Sequence, residues 1–195
     1  MSTNTLLLVH DFFTKFGMQY TGEARQLEGD MLDLRVKRLA EEGQELLDAK
    51  TLSGRVDALV DILYIAVGTK YLMGIHTSCP ISDFTHGGPE DYTEEDSMRG
   101  LAKMCIDGDY RFDDVVPNLD KVIFLCIRTC YYLGLPIESL FLEVHNANMR
   151  KERGTQKTSK YGNSFDIVKP AGWVGPDIDS VLITHGFDPK KEVTL

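Results

Sequence analysis

Glu45 lies three residues after Glu42 and four after Glu41, so in a helix the three carboxylates project from one side. At about 100° per residue Glu42 sits roughly 60° from Leu39, at the edge of the apolar seam formed with Leu32, Val36, Gly43, Leu46 and Leu47. Asp57 and Asp61 follow, four residues apart, on one face with Tyr64 and Gly68. Asp61 is flanked by Leu59, Val60, Ile62 and Leu63, a setting in which an unpaired carboxylate is costly. A solvated helix face would account for the three glutamates alone, and pairing with Arg55 or capping would account for Asp57. Neither explains Asp61. If the acids converge, they repel one another and require cations or raised pKa values. An all-oxygen donor set of this density suits Mg²⁺ or Mn²⁺ rather than Zn²⁺, for which no usual His/Cys spacing is present.

The elements that must bring these acids together are helices. The spacing predicts a short helix from Leu6 to Phe16 closed by Gly17, and a long one from Leu27 to Lys50. A nearly all-apolar helix is predicted from Ser53, as N-cap, to Met73, with Gly74 as its stop. The connection around Thr51 and Leu52 is only a few residues long, so the two long helices form an antiparallel hairpin. With the turn centred near residue 51, Glu45 falls opposite Asp57, and Glu41 or Glu42 opposite Asp61. Helical pattern returns from Glu94 to Ile106, from Pro117 to Leu133 and from Pro136 to Arg150. Residues 76–93 read as a loop, and the chain after 150 as a polar, Gly-rich tail with turn chemistry near Gly172 and Pro176. The expected architecture is therefore a single all-α domain over 1–195, with an insertion at 76–115 and an irregular tail at 151–195.

The 195 residues have a net charge of −9, which argues against a general affinity for nucleic acid or anionic membrane. Six basic residues (Arg150, Lys151, Arg153, Lys157, Lys160, Lys169) nevertheless crowd between His145 and Pro170 against two acids, Glu152 and Asp166, which leaves room for a local anion site within an acidic chain. The four cysteines contain no CxxC pair and read as reduced thiols, with Cys126 and Cys130 as helix packing. No basic segment precedes Leu6-Leu7-Leu8-Val9, and no apolar run approaches the ~20 residues of a membrane span, so a cytoplasmic location is expected. His76, Cys79 and His86 have irregular spacing and make a poor second metal site. His10 and His145 are read as structural.

Several blocks resemble a known family. They are Arg35-Val36-Lys37-Arg38-Leu39-Ala40-Glu41-Glu42-Gly43-Gln44-Glu45, Asp57-Ala58-Leu59-Val60-Asp61-Ile62-Leu63-Tyr64 and Val67-Gly68-Thr69, with Val9 to Gly17 before them. Val144-His145-Asn146-Ala147-Asn148-Met149-Arg150-Lys151 and Lys169-Pro170-Ala171-Gly172-Trp173-Val174-Gly175-Pro176-Asp177-Ile178 follow. Together they resemble the all-α nucleotide pyrophosphohydrolases, the MazG-like and phosphoribosyl-ATP pyrophosphohydrolase-like enzymes, in their phage-type form. The resemblance implies a bundle of four or more helices, assembled as a dimer or tetramer. It implies Mg²⁺-dependent hydrolysis of a nucleoside or deoxynucleoside triphosphate to monophosphate and pyrophosphate. Glu41, Glu42, Glu45 and Asp61 would be metal-holding and water-activating carboxylates, with Glu41 or Glu42 receiving the proton. Asn146, Asn148, Lys151 and Lys169 would bind substrate or order the site. The family's second acidic pair is usually ExxD, whereas this chain has Ala58 at the first position; Asp57, one residue earlier, is the candidate replacement. Tyr64, Phe12, Phe13 and Trp173 are candidates to stack on a base, with a core or interface role weighed more heavily for each. Two other readings stay open: hydrolysis of phosphoribosyl-ATP, and a non-catalytic helical protein that binds a cation only to hold its bundle together.

Overall fold

The computed structural model describes residues 5–76, 94–108 and 115–193 and forms an all-α bundle among them. Cys79, His86 and most of the expected 76–93 loop lie outside the described residues. The helices are α1 (Thr5–Lys15), α2 (Gly29–Asp48), α3 (Leu52–Leu72), α4 (Glu94–Asp107), α5 (Val115–Tyr132) and α6 (Ile137–Asn148). Two short antiparallel strands follow, β1 (Glu152–Arg153) and β2 (Ile167–Val168), with Glu152 opposite Val168, and then α7 (Ile178–Thr184). α3 is central and packs against α1, α2, α5, α6 and α7. Its all-round apolar sequence has this cause: Val56, Leu59, Val60, Ile62, Leu63, Ala66 and Leu72 are all buried in the core.

The hairpin turn forms as expected, but the N-cap of α3 is Thr51 rather than Ser53. Thr51 has extended backbone, and its Oγ1 accepts from the Gly54 N–H at 3.2 Å. The chain's end supplies the rest of the cap. The N–H groups of Leu52 and Ser53 donate to the carbonyls of Lys191 (2.9 Å) and Pro189 (3.0 Å), satisfying first-turn donors that have no partner within the helix. At the other end of α3, Gly74 takes φ +74°, and the Arg25 Nε donates to the Leu72 carbonyl at 3.2 Å.

α6 ends at Asn148, two residues before the expected boundary, and α7 lies in the segment expected to be irregular. Asp177 caps α7, its Oδ1 accepting from the Ser180 N–H at 3.0 Å. Cys105, Cys126 and Cys130 are buried and unpaired with one another, and burial pushes the Cys105 and Cys130 thiols up to about 12. Among the described residues no helix is long and apolar enough to cross a membrane.

α2 meets α4 at Gly43. A Cβ there would lie 2.8 Å from the Cys105 Cβ and 3.0 Å from the Ala102 carbonyl oxygen, so this face tolerates no side chain without separating the helices. Gly43→Ala is expected to destabilise the fold by roughly 1–3 kcal/mol, read as a lower denaturant midpoint.

Candidate active site

The antiparallel run of α2 and α3 turns Glu42, Glu45, Asp57 and Asp61 toward one cleft of about 540 Å³. Lys151, just past the end of α6, and Lys169, just past β2, face them across it. The charges act on one another as this placement demands. Burial pushes the Glu42 carboxyl up to about 9, and the charges of Asp61, Glu45 and Asp57 add to the shift. Burial, then Asp61 and Glu45, push Asp57 up to about 7, while Lys169 and Lys151 oppose the change. Asp61 is raised by burial against the pull of the same two lysines. Lys151 is lowered by burial, with Asp61 as its principal counter-charge. Asp61 and Glu42 are reached from the cleft yet walled by protein on their other sides, so they keep some accessible surface while losing much of their hydration.

Glu41 lines the same cleft and is paired with bases. It accepts from Arg38 Nη1 at 3.3 Å and from the Lys160 ammonium. Arg38 also donates through Nη2 to Asp166 Oδ1 at 2.8 Å, and Asp166 in turn accepts from Ser159 Oγ at 2.9 Å. The β1–β2 connection is thereby tied across α2. Asn148 is buried and lines the cleft, with its side chain bearing on the Tyr64 hydroxyl. Asn146 is exposed and lies outside the cleft lining; its carbonyl accepts from Arg150 Nη1 at 3.1 Å.

Trp173 lines the cleft beside Lys151 and Lys169. Its Nε1 donates to the Ala147 carbonyl at 3.0 Å, which fixes the ring at the end of α6. The Lys169 and Lys151 ammonium groups lie 4.7 and 5.3 Å from its centroid, within cation–π range. The indole thus orients two lysines. Tyr64 is core: it packs edge-on to Phe12, stacks on Phe141, and its hydroxyl lies 3.0 Å from His145 Nδ1. His10 pairs likewise with the Tyr71 hydroxyl at 2.9 Å, so both histidines have structural partners.

Arg38 and Asp166 were not singled out from the sequence. Arg38 had a usable signal, one helical turn before Glu41 and Glu42; Asp166 pairs with it across 128 positions and had none.

Whether these residues suit a divalent cation can be judged from donor chemistry. All four carboxylates offer oxygen, and Asp57 Oδ1 is buried without a hydrogen-bond partner among the described residues. Among those residues no three metal-ligating side chains are already gathered at metal-holding geometry. The donor type, the orphaned oxygen and the mutual repulsion nevertheless fit the chemistry of a hard cation.

The fold and site define an all-α bundle whose central hairpin brings Glu42, Glu45, Asp57 and Asp61 to one cleft with Lys151 and Lys169. The family model described as phosphoribosyl-ATP pyrophosphohydrolase matches residues 18–84, the segment that contains α2, α3 and all four carboxylates. That family belongs to the MazG-like all-α pyrophosphohydrolase superfamily, so this segment is similar to that of enzymes that hydrolyse a phosphoanhydride bond. Comparison with curated proteins and with solved structures gave no match in either case.

Proposed function

We propose that the protein hydrolyses nucleoside or deoxynucleoside triphosphates between the α and β phosphates, using Mg²⁺, with Mn²⁺ as an alternative. The observation that carries this reading is the meeting of the α2–α3 carboxylates with Lys151 and Lys169 across one cleft. Phosphoryl transfer depends on positioning and charge neutralisation more than on covalent chemistry. Glu42, Glu45, Asp57 and Asp61 are the residues that would hold the cation. When bound, a divalent ion there withdraws charge from the phosphates and makes a nearby water more acidic. Glu42, whose carboxyl burial and the neighbouring acids push up to about 9, receives the water's proton. Lys151 and Lys169 hold phosphate oxygens, steadied by Trp173, and Asn148 orders the wall behind them. Glu41 is committed to Arg38 and Lys160, so its part is to hold those two cations at the cleft mouth.

Asp57 takes the place of the acid missing at Ala58. Asp57→Asn is expected to weaken the Mg²⁺ dependence as severely as Asp61→Asn does, because each removes one anionic oxygen from the same group. Wild-type rate and wild-type Mg²⁺ titration in Asp57→Asn would leave Asp61 as the single ligand from α3. The proposed assembly is a dimer or tetramer, which light scattering at micromolar concentration should show as a multiple of 21.9 kDa.

The likeness to the phosphoribosyl-ATP pyrophosphohydrolase family favours one further reading, hydrolysis of phosphoribosyl-ATP at the same type of bond. A panel of the common NTPs and dNTPs together with phosphoribosyl-ATP, each with Mg²⁺, Mn²⁺ or chelator, separates the readings. Turnover of a triphosphate that is lost on chelation supports the proposal. Turnover of phosphoribosyl-ATP alone would replace it, and no turnover would favour a non-catalytic cation-binding bundle.

A further inference from the structure

Beside the cleft lies a second, smaller cavity of about 90 Å³, which shares Glu42, Asp61 and Lys151 with it. Its other walls are apolar and aromatic, with Phe12, Phe13, Leu34 and Phe165 among them. The two cavities adjoin at those shared residues, so a ring whose leading edge enters the small one leaves its sugar and phosphates on the side of the larger cleft. Arg38 and Asp166, paired with each other, line it as well, and the guanidinium of Arg35 stands among the aromatic walls.

Arg35 is held by one side only. Its Nε donates to Thr69 Oγ1 at 2.9 Å and its Nη2 to the Ile65 carbonyl at 2.7 Å. Nε and Nη2 form one edge of the guanidinium fork. The end edge, made by Nη1 and the second Nη2 hydrogen, has no acceptor among the described residues, and no carboxylate there pairs with the group. Burial and the nearby Arg38 lower its pKa to about 10, so it stays charged at neutral pH. The bare Cα of Gly68 makes room for it, since a Cβ there would lie 3.0 Å from Arg35 Nη2 and 3.2 Å from Phe13. A fixed, charged, two-donor fork at the end of an aromatic slot suits a flat ring that presents two adjacent acceptors.

Resting on the reading of the cleft as a nucleotide site, we infer that Arg35 is its specificity-determining residue, receiving purines that offer O6 and N7 together, guanine or hypoxanthine, and turning adenine away. The oxo-purines present two acceptors on that edge and match the fork. Adenine presents N7 beside an amine, which sets donor against donor and leaves buried hydrogens unpaired. The same rule disfavours phosphoribosyl-ATP, whose base is adenine.

The test compares inosine with adenosine nucleotides, which differ at this edge. Binding of IMP, AMP and the deaza analogue of IMP that lacks N7 is measured by calorimetry in chelator, and kcat/KM for ITP and ATP with Mg²⁺. Wild-type protein is expected to favour IMP over AMP, and ITP over ATP, by about tenfold or more, with loss of N7 weakening IMP by about fivefold or more. Arg35→Lys, which keeps the charge but lacks the fork, should bring the IMP/AMP and ITP/ATP ratios to within about threefold of unity. A purely structural Arg35 would change stability and leave the ratios alone. Equal affinity for IMP and AMP, no effect of removing N7, or an unchanged ratio in Arg35→Lys each overturns the inference, and the two wild-type binding results stand even if the variant does not fold. Oxo-purine preference in binding without hydrolysis would overturn the proposed reaction and leave this inference intact; hydrolysis without base preference would do the reverse.

Discussion

Asp61→Asn is expected to lower kcat/KM by roughly a hundred- to a thousandfold, because it removes the most deeply enclosed oxygen donor of the cleft and the principal counter-charge to Lys151. The same substitution should stabilise the protein in chelator at alkaline pH. Glu42 and Asp57 are raised in the folded state, from 4.5 to about 9 and from 3.8 to about 7. A carboxylate raised in this way contributes its full stability below its unfolded pKa and loses it as pH climbs through the folded value. The metal-free wild type should therefore lose Tm progressively between pH 5 and about 9, the window set by those values. Removing the Asp61 charge relieves the repulsion on both groups, so the Tm of Asp61→Asn should fall less over that window. Added Mg²⁺ should restore the wild type more than the variant. Differential scanning fluorimetry across this range, with and without Mg²⁺, checks the stability half, and steady-state kinetics the other. A wild-type Tm that rises over this window in chelator would mean that the acids do not repel as their placement requires.

Lys151→Ala should lower kcat/KM by at least tenfold, with roughly 1.5–3 kcal/mol of phosphate binding or transition-state energy lost with the charge-assisted contact. The backbone around it should persist, because the Lys151 N–H bonds the Asn148 carbonyl at 3.1 Å whatever the side chain. The variant should also lose Tm at alkaline pH, since Asp61 and Asp57 both lose a compensating cation. Kinetics and circular dichroism on one preparation separate a lost contact from a lost fold. Wild-type kinetics would shift the phosphate contact to Lys169 or Lys160, the other lysines lining the cleft.

The hairpin was legible in the sequence because it rests on local periodicity and a short turn. Those two facts put Glu45 near Asp57 and Glu42 near Asp61, and the mutual shifts of these groups follow that arrangement. Glu41 could not be separated from Glu42 in this way. They are one residue apart, and what divides them is Arg38 and Lys160, the second 119 positions along the chain. Thr51 and Ser53 are both plausible caps by type, and the choice is made by the C-terminal segment folding back onto the turn. α7 was missed because seven residues give too little periodicity, although Asp177 before an apolar segment was a capping signal in plain view. Arg35 was legible only as part of a family block. Its one-sided hydrogen bonding becomes visible once α2 is laid on α3.

The most direct test of the account is the identity of the first products. Phosphorus NMR of one turnover of an accepted triphosphate with Mg²⁺ should show monophosphate and pyrophosphate appearing together in equal amounts, and nothing in chelator. Nucleoside diphosphate and orthophosphate as first products would contradict it, because the carboxylates and lysines would then be arranged around the wrong phosphate.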